Sequence, residues 1–161
     1  DNNGNAWFVN NIKEVNTAEQ EILALNDINN KSTAIVNTTD FSNIEAGNGE
    51  GSIKLVEGET NRMVYQSNSS SNQLAVFSEV WYGGNPDWKI TIDGNEANII
   101  RTNYLLRAVE VPAGEHEIIM EFKPKANGAI ISTLTSKFCF KECLIRLLKL
   151  STSIEFGVIQ I

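Results

Sequence analysis

The sequence predicts a mainly β fold: an antiparallel β-sandwich with one N-terminal helix packed against it and an amphipathic helical pattern near the C-terminus. Three observations carry this expectation. From Ser52 to Pro124, short runs of β-branched and aromatic residues recur, separated by Gly, Asn, Asp or Pro. Asp93-Gly94 stands between two strand-like halves, a strong two-residue hairpin signal. His116, Ile118, Met120 and Phe122 alternate with Glu117, Ile119 and Glu121, a period of two with one clearly apolar face.

Taken in chain order, Trp7-Phe8-Val9 followed by Ile12 and Val15 reads as a strand. Thr17 to Ile28 reads as a helix. Thr17 and Gln20 have capping-box spacing, and Glu19 and Glu21 lie in the first turn, where the helix dipole favours negative charge. Ala18, Ile22 and Leu25 fall on one face, the side expected against a sheet. Thr33 to Phe41 is a short β-branched run, and Glu45 to Gly51 is loop by composition. SIKLVEG and NRMVYQSN, flanking Gly58-Glu59, read as a hairpin. The nearly continuous apolar run Gln73 to Tyr82 suits a central strand covered on both faces. Pro112-Ala113-Gly114 is a tight turn between two more strands.

The last part of the chain differs in charge, which sets domains at residues 1–128 and 129–161. Residues 1–128 carry nine basic and eighteen acidic side chains; residues 129–161 carry four basic and two acidic ones. From Lys137 to Leu150, Cys139, Phe140, Cys143, Leu144, Leu147 and Leu148 fall on one helical side, opposite Lys137, Lys141, Glu142, Arg146 and Lys149. Such a helix packs on its own domain, a partner or a membrane surface. The final IEFGVIQI reads as an edge strand or a pairing segment.

Composition excludes several classes. A net charge of −7 disfavours a nucleic-acid partner. Two cysteines and one histidine are too few for a four-ligand zinc site, and the cysteines read as buried thiols in an apolar stripe. No phosphate loop, dinucleotide fingerprint or serine nucleophile motif is present, so no cofactor is expected. His116, a lone histidine after a turn, reads as structural. No uncharged apolar run reaches the ~20 residues that span a bilayer.

The candidate binding residues sit around FSEVWYGGNPDWKITIDG. Trp81, Tyr82 and Trp88 surround one loop, and two readings stay open: a stacking platform for a sugar, or rings packed in the core. Glu79 and Arg107 each interrupt an apolar strand. An unpaired buried charge is costly, so these two are expected to pair, or to form a polar cluster that grips a glycan. Glu79, Asp87, Asp93 and Glu110 match a glycosidase's carboxylates by residue type only, and catalysis by this chain alone is not expected.

The ordered set Phe77-Ser78-Glu79, Tyr82, Trp88, Ile92-Asp93-Gly94, Asn103-Tyr104, Arg107-Ala108 and Pro112-Ala113-Gly114 with His116 resembles a known family. Gly4 to Val9 and Ala24 to Asp27 extend the match over nearly all of residues 4–124. The chain resembles the C-terminal extracytoplasmic region of YfhO-type bacterial membrane proteins, which are similar to lipid-linked-sugar glycosyltransferases. The resemblance implies a location on the outer side of the cytoplasmic membrane, in the bacterial cell envelope. It implies a partner in the membrane-embedded part of the same polypeptide, and a role in positioning or recognising an envelope glycan acceptor. A freestanding carbohydrate-binding module and a structural assembly domain are the alternatives. One departure is that a transmembrane helix is expected soon after Phe122-Lys123-Pro124, where this chain has a charged segment instead.

Overall fold

The computed structural model describes residues 3–82 and 87–124, and the chain divides after Pro124. The C-terminal helix pattern, the terminal strand and the Gly83 to Pro86 loop lie outside the described residues. The fold is mainly β, with eleven strands and one helix among the described residues. They are β1 (Ala6–Val9), β2 (Asn11–Val15), α1 (Ala18–Ala24), β3 (Thr33–Asn37), β4 (Gly51–Glu59), β5 (Arg62–Ser69), β6 (Gln73–Val80), β7 (Trp88–Ile92), β8 (Asn95–Ala97), β9 (Ile100–Thr102), β10 (Leu106–Val111) and β11 (Gly114–Phe122).

Two antiparallel sheets, ordered β1-β6-β10-β9 and β4-β5-β11-β7-β8, enclose the main core. Ala75, Phe77, Val109 and Val111 from the first meet Tyr65, Ile90, Ile118 and Met120 from the second. Each large side chain buried here contributes roughly 1.5–3 kcal/mol. The far face of the four-stranded sheet is also covered, by Ala34, Ile12, Phe41 and Ile44 packed on Leu74, Val76 and Ala108. That double cover accounts for the unbroken apolar run of β6, whose residues Leu74 to Phe77 are all fully buried.

Several expectations are corrected. β1 and β2 are two strands in different sheets, and β2 pairs with β3 in parallel, so β2-α1-β3 is a crossover unit rather than an antiparallel one. α1 stops at Ala24, before Asn26 and Asp27, whose side chains favour turns over helix interiors. Its buried residues are Glu21 and Ala24, and Ile22 faces solvent. The β4–β5 hairpin turns at Thr60-Asn61 rather than Gly58-Glu59, because β4 carries a bulge between Leu55 and Glu57. Pro112-Ala113-Gly114 turns the chain between two strands as expected. It is a corner, since β10 and β11 belong to different sheets. The Asp93-Gly94 turn is as expected: φ of +50° and +82° at its two central residues fits a tight type I′ hairpin.

Candidate functional site

The candidate residues meet at one end of the sandwich. β6 and β10 run side by side with Arg107 opposite Phe77 and Leu106 opposite Val80, and this offset is a bulge that disturbs the alternation of β6 at Ser78 and Glu79. Arg107 points between the sheets with 1% of its surface exposed. Its guanidinium lies 4.4 Å from the Trp88 ring centroid, and Nη1 lies 3.3 Å from Met120 Sδ. Trp88 in turn tilts against Phe122, centroids 5.3 Å apart. Arg107 Nε has no hydrogen-bond partner.

Glu79 is half-buried near this cation but makes no ion pair within 4.0 Å among the described residues. It acts at longer range. Desolvation holds the Arg107 pKa below its usual value, and the fields of Glu79, Tyr82 and Tyr65 oppose that shift. The Tyr65 hydroxyl, 3.6 Å from Met63 Sδ, is pushed up to about 12 by burial and then by Glu79, with Arg107 opposing. The expected direct Glu79–Arg107 pair is therefore replaced by stacking of the guanidinium on Trp88, which suits its planar, weakly hydrated group.

The three rings do not form one platform. Trp81 meets Phe41 edge-on at 5.9 Å, and Phe41 packs on the far face of the four-stranded sheet. Trp88 packs into the core between the sheets. Tyr82 is 68% exposed. Trp81 is thus half-buried against Phe41 and Trp88 half-buried against the core between the sheets, while Tyr82 is largely exposed.

A second polar cluster on the same hairpin was missed from sequence. Glu21 is fully buried: Oε1 accepts the Tyr104 N–H at 2.7 Å, and Oε2 lies 3.2 Å from Arg101 Nη2, an ion pair without hydrogen-bond alignment. Arg101 also pairs with Asp40 at 2.9 Å. Asn103 accepts the Ile35 N–H through Oδ1 at 2.7 Å and donates its own N–H to Ile35 O at 3.0 Å. These contacts hold Asn103 and Tyr104 at φ of +50° and +71°, conformations unfavourable for non-glycine residues. The available signal was the spacing of Thr17, Glu21 and Ala24, which puts Glu21 on the inner side below the cap.

His116 joins two turns. Nδ1 lies 2.6 Å from Asp93 Oδ2 and Nε2 lies 3.2 Å from Ala113 O, while Asp93 Oδ1 accepts the Glu117 N–H at 2.9 Å. Both ring nitrogens face acceptors, so protonation lets the ring donate to both at once. The His116 pKa is raised by Asp93, and the Asp93 pKa is lowered by His116 and the Glu117 N–H.

Around Arg107, strand ends converge. Ser78 N–H donates to Asn5 O and Ser78 Oγ–H to Gly4 O, so β1 begins here. Phe122 pairs with Trp88, so β11 finishes here. Val80, Tyr82, Tyr104, Leu105 and Phe122, large apolar side chains with substantial exposure, all belong to this end. No protein-family model matches the chain, and comparison with curated proteins and with solved structures gives no significant match.

Proposed function

We propose that this chain is the extracytoplasmic domain of a bacterial membrane protein akin to lipid-linked-sugar glycosyltransferases. In this reading it sits in the cell envelope, on the outer side of the cytoplasmic membrane. It positions or recognises a glycan acceptor and leaves the chemistry to the membrane-embedded part of the same polypeptide. The observation that supports it best is the convergence at one end. β1 begins and β11 finishes where Val80, Tyr82, Tyr104, Leu105 and Phe122 are exposed. A domain tethered to a membrane would carry its apolar and tyrosine-rich surface on the tethered side, because these side chains suit the interfacial layer. The same end presents Tyr82 as an exposed ring for a sugar face, backed by Glu79 and Arg107.

The test has two parts. The parent reading frame should encode apolar membrane spans upstream of Asp1, and the purified chain should retain envelope polysaccharide fragments on a glycan array, with Tyr82→Ala weakening retention several-fold. A parent frame without such spans removes the membrane reading. Spans with no retained glycan would leave a tethered domain that braces the enzyme and would sink the recognition role.

A further inference from the structure

We propose that the outer face of the five-stranded sheet binds a neutral sugar unit in the cleft where β4, β5 and β11 run side by side. The cleft is a cavity of about 440 Å³, on the scale of small-molecule sites. The ligand class is argued from this face alone, so it rests neither on the membrane reading nor on Tyr82. Glu115 and Glu117 stand at the start of β11, whose last residue, Phe122, belongs to the Arg107 end.

Strand register sets the polar groups out in rows. Lys54 lies opposite Gln66 and Gln66 opposite Glu117; Ser52 lies opposite Asn68 and Asn68 opposite Glu115. Their chain neighbours Ile53, Tyr65 and Ile118 point into the core, so these side chains share the outer face. The face is hollowed where β4 carries its bulge, since an extra residue bends and twists the strand that bears it. That extra residue, Val56, is 54% exposed and gives the wall an apolar part.

The pairing of charges separates this cleft from the rest of the sheet. Elsewhere its cations find carboxylates, Arg62 with Glu57 at 2.7 Å and Lys89 with Glu96 at 3.4 Å. Lys54 has none within 4.0 Å among the described residues, and neither Glu115 nor Glu117 has a cation. Gln66 stands between Lys54 and Glu117, which keeps their backbones about 10 Å apart, two strand spacings. Asn68 Nδ2 donates to Glu115 Oε1 at 2.9 Å, which leaves the Asn68 amide oxygen and the second Glu115 oxygen as acceptors. The set therefore offers an ammonium, two amides, a hydroxyl and two carboxylates around one concavity. Sugar hydroxyls both donate and accept, so they match this mixture throughout. An anion would meet the carboxylates and a cation would meet Lys54, so neither fits the whole. No Phe, Tyr or Trp lines the cleft among the described residues, so ring stacking is missing and the affinity is weak.

The experiment titrates the isotope-labelled full chain with cellobiose, maltose and N,N′-diacetylchitobiose and follows the amide chemical shifts. Inorganic phosphate and spermidine serve as ionic controls. The expected result is a saturating response to at least one disaccharide, half-complete at about 1–10 mM, at the amides of Ser52 to Val56, Gln66 to Asn68 and Glu115 to Glu117. Gln66→Ala and Lys54→Ala should each raise the half-saturating concentration about threefold to tenfold, the effect of one lost hydrogen bond. Their unfolding midpoints should stay near the wild-type value, since both side chains are exposed. Tyr82→Ala should leave the response unchanged, so this site and the Arg107 end fail separately. No response to any of the three sugars up to about 100 mM overturns the proposal. So does binding that both cleft variants retain in full, a response centred on Tyr82, or equal half-saturation by phosphate or spermidine, which would mark an ion site.

Discussion

Replacing Glu21 tests the cluster that holds the β9–β10 turn. Glu21→Ala removes three things at once: an acceptor for the Tyr104 N–H at 2.7 Å, an ion-pair partner for Arg101 at 3.2 Å, and the volume of a fully buried side chain. A hydrogen bond to a charged group is worth about 1.5–3 kcal/mol, and breaking a fully buried ion pair costs about 3–5 kcal/mol. Here the loss is smaller than the upper figure. Arg101 is 18% exposed and keeps Asp40 at 2.9 Å, so it is not stranded. The expected cost is about 2–3 kcal/mol, equivalent to roughly 10 °C in unfolding midpoint for a domain of this size. Glu21→Gln keeps an acceptor for Tyr104 and loses only the charge, so about 1 kcal/mol is expected. Urea unfolding at fixed slope measures both, and amide exchange at Tyr104 should accelerate in the alanine variant. A cost below about 0.5 kcal/mol for Glu21→Ala would refute the claim that this carboxylate holds the turn.

Three further outcomes follow from the same structure. Gly47→Ala should cost about 2 kcal/mol or more in urea unfolding, because its Cβ would sit 1.7 Å from the backbone oxygen of Asn72; Gly94→Ala meets nothing within 4 Å and should cost only about 1 kcal/mol, for its φ of +82°. Arg107→Met should leave stability within about 1 kcal/mol of wild type or raise it, since the guanidinium is desolvated and touches no carboxylate; a loss above about 3 kcal/mol would show that its stacking on Trp88 is essential. The His116–Asp93 clamp gives a pH signature. The raised His116 pKa contributes stability that is complete below its unfolded value near 6.5 and fades as pH rises through the higher folded value, while the lowered Asp93 pKa contributes stability present above 3.8 and lost as pH falls through the lower folded value. Unfolding midpoints across pH should therefore flatten above about pH 6.5 in His116→Gln relative to wild type, and an unchanged profile would reject the clamp.

What could be read from the chain, and what could not, divides along physical lines. Local signals were legible. The Asp93-Gly94 turn needs left-handed backbone, the period of two along His116 to Phe122 marks a half-buried strand, and the apolar run of β6 marks double cover. Pairings between distant segments were not legible, because alternation tells which face is buried but not which sheet receives the strand. Pro112-Ala113-Gly114 reads as a tight turn whether its flanking strands pair or part, and here they part. The same limit applies to side chains. Ile22 looks like the inner face of α1 by hydrophobicity, yet Glu21 takes that place, because a carboxylate can be buried when an N–H and an arginine from a segment some eighty residues on wait for it. Trp81 and Trp88 lie close along the chain, but the bulge beside Glu79 and the crossing between sheets send them to different neighbours, Phe41 and the core between the sheets.

The β9–β10 turn also poses a question that stability measurements can answer. Asn103 has a local reason to be left-handed, since asparagine tolerates that region and its side chain and backbone both bond to Ile35. Tyr104 has none: a bulky residue at φ +71° costs on the order of 1–3 kcal/mol, and the residue is 37% exposed, with Arg101 6.0 Å from the ring centroid as its cation–π neighbour among the described residues. A glycine there would remove the strain at the small cost of that ring contact. Tyr104→Gly is therefore expected to leave stability unchanged or to raise it by up to about 1 kcal/mol in urea unfolding. If it does, the tyrosine is retained against its own backbone preference, and the reason must lie in what the exposed end touches. If the variant instead loses more than about 1 kcal/mol, the ring belongs to the packing of the domain, and Tyr104 drops out of the surface formed with Val80, Tyr82 and Leu105.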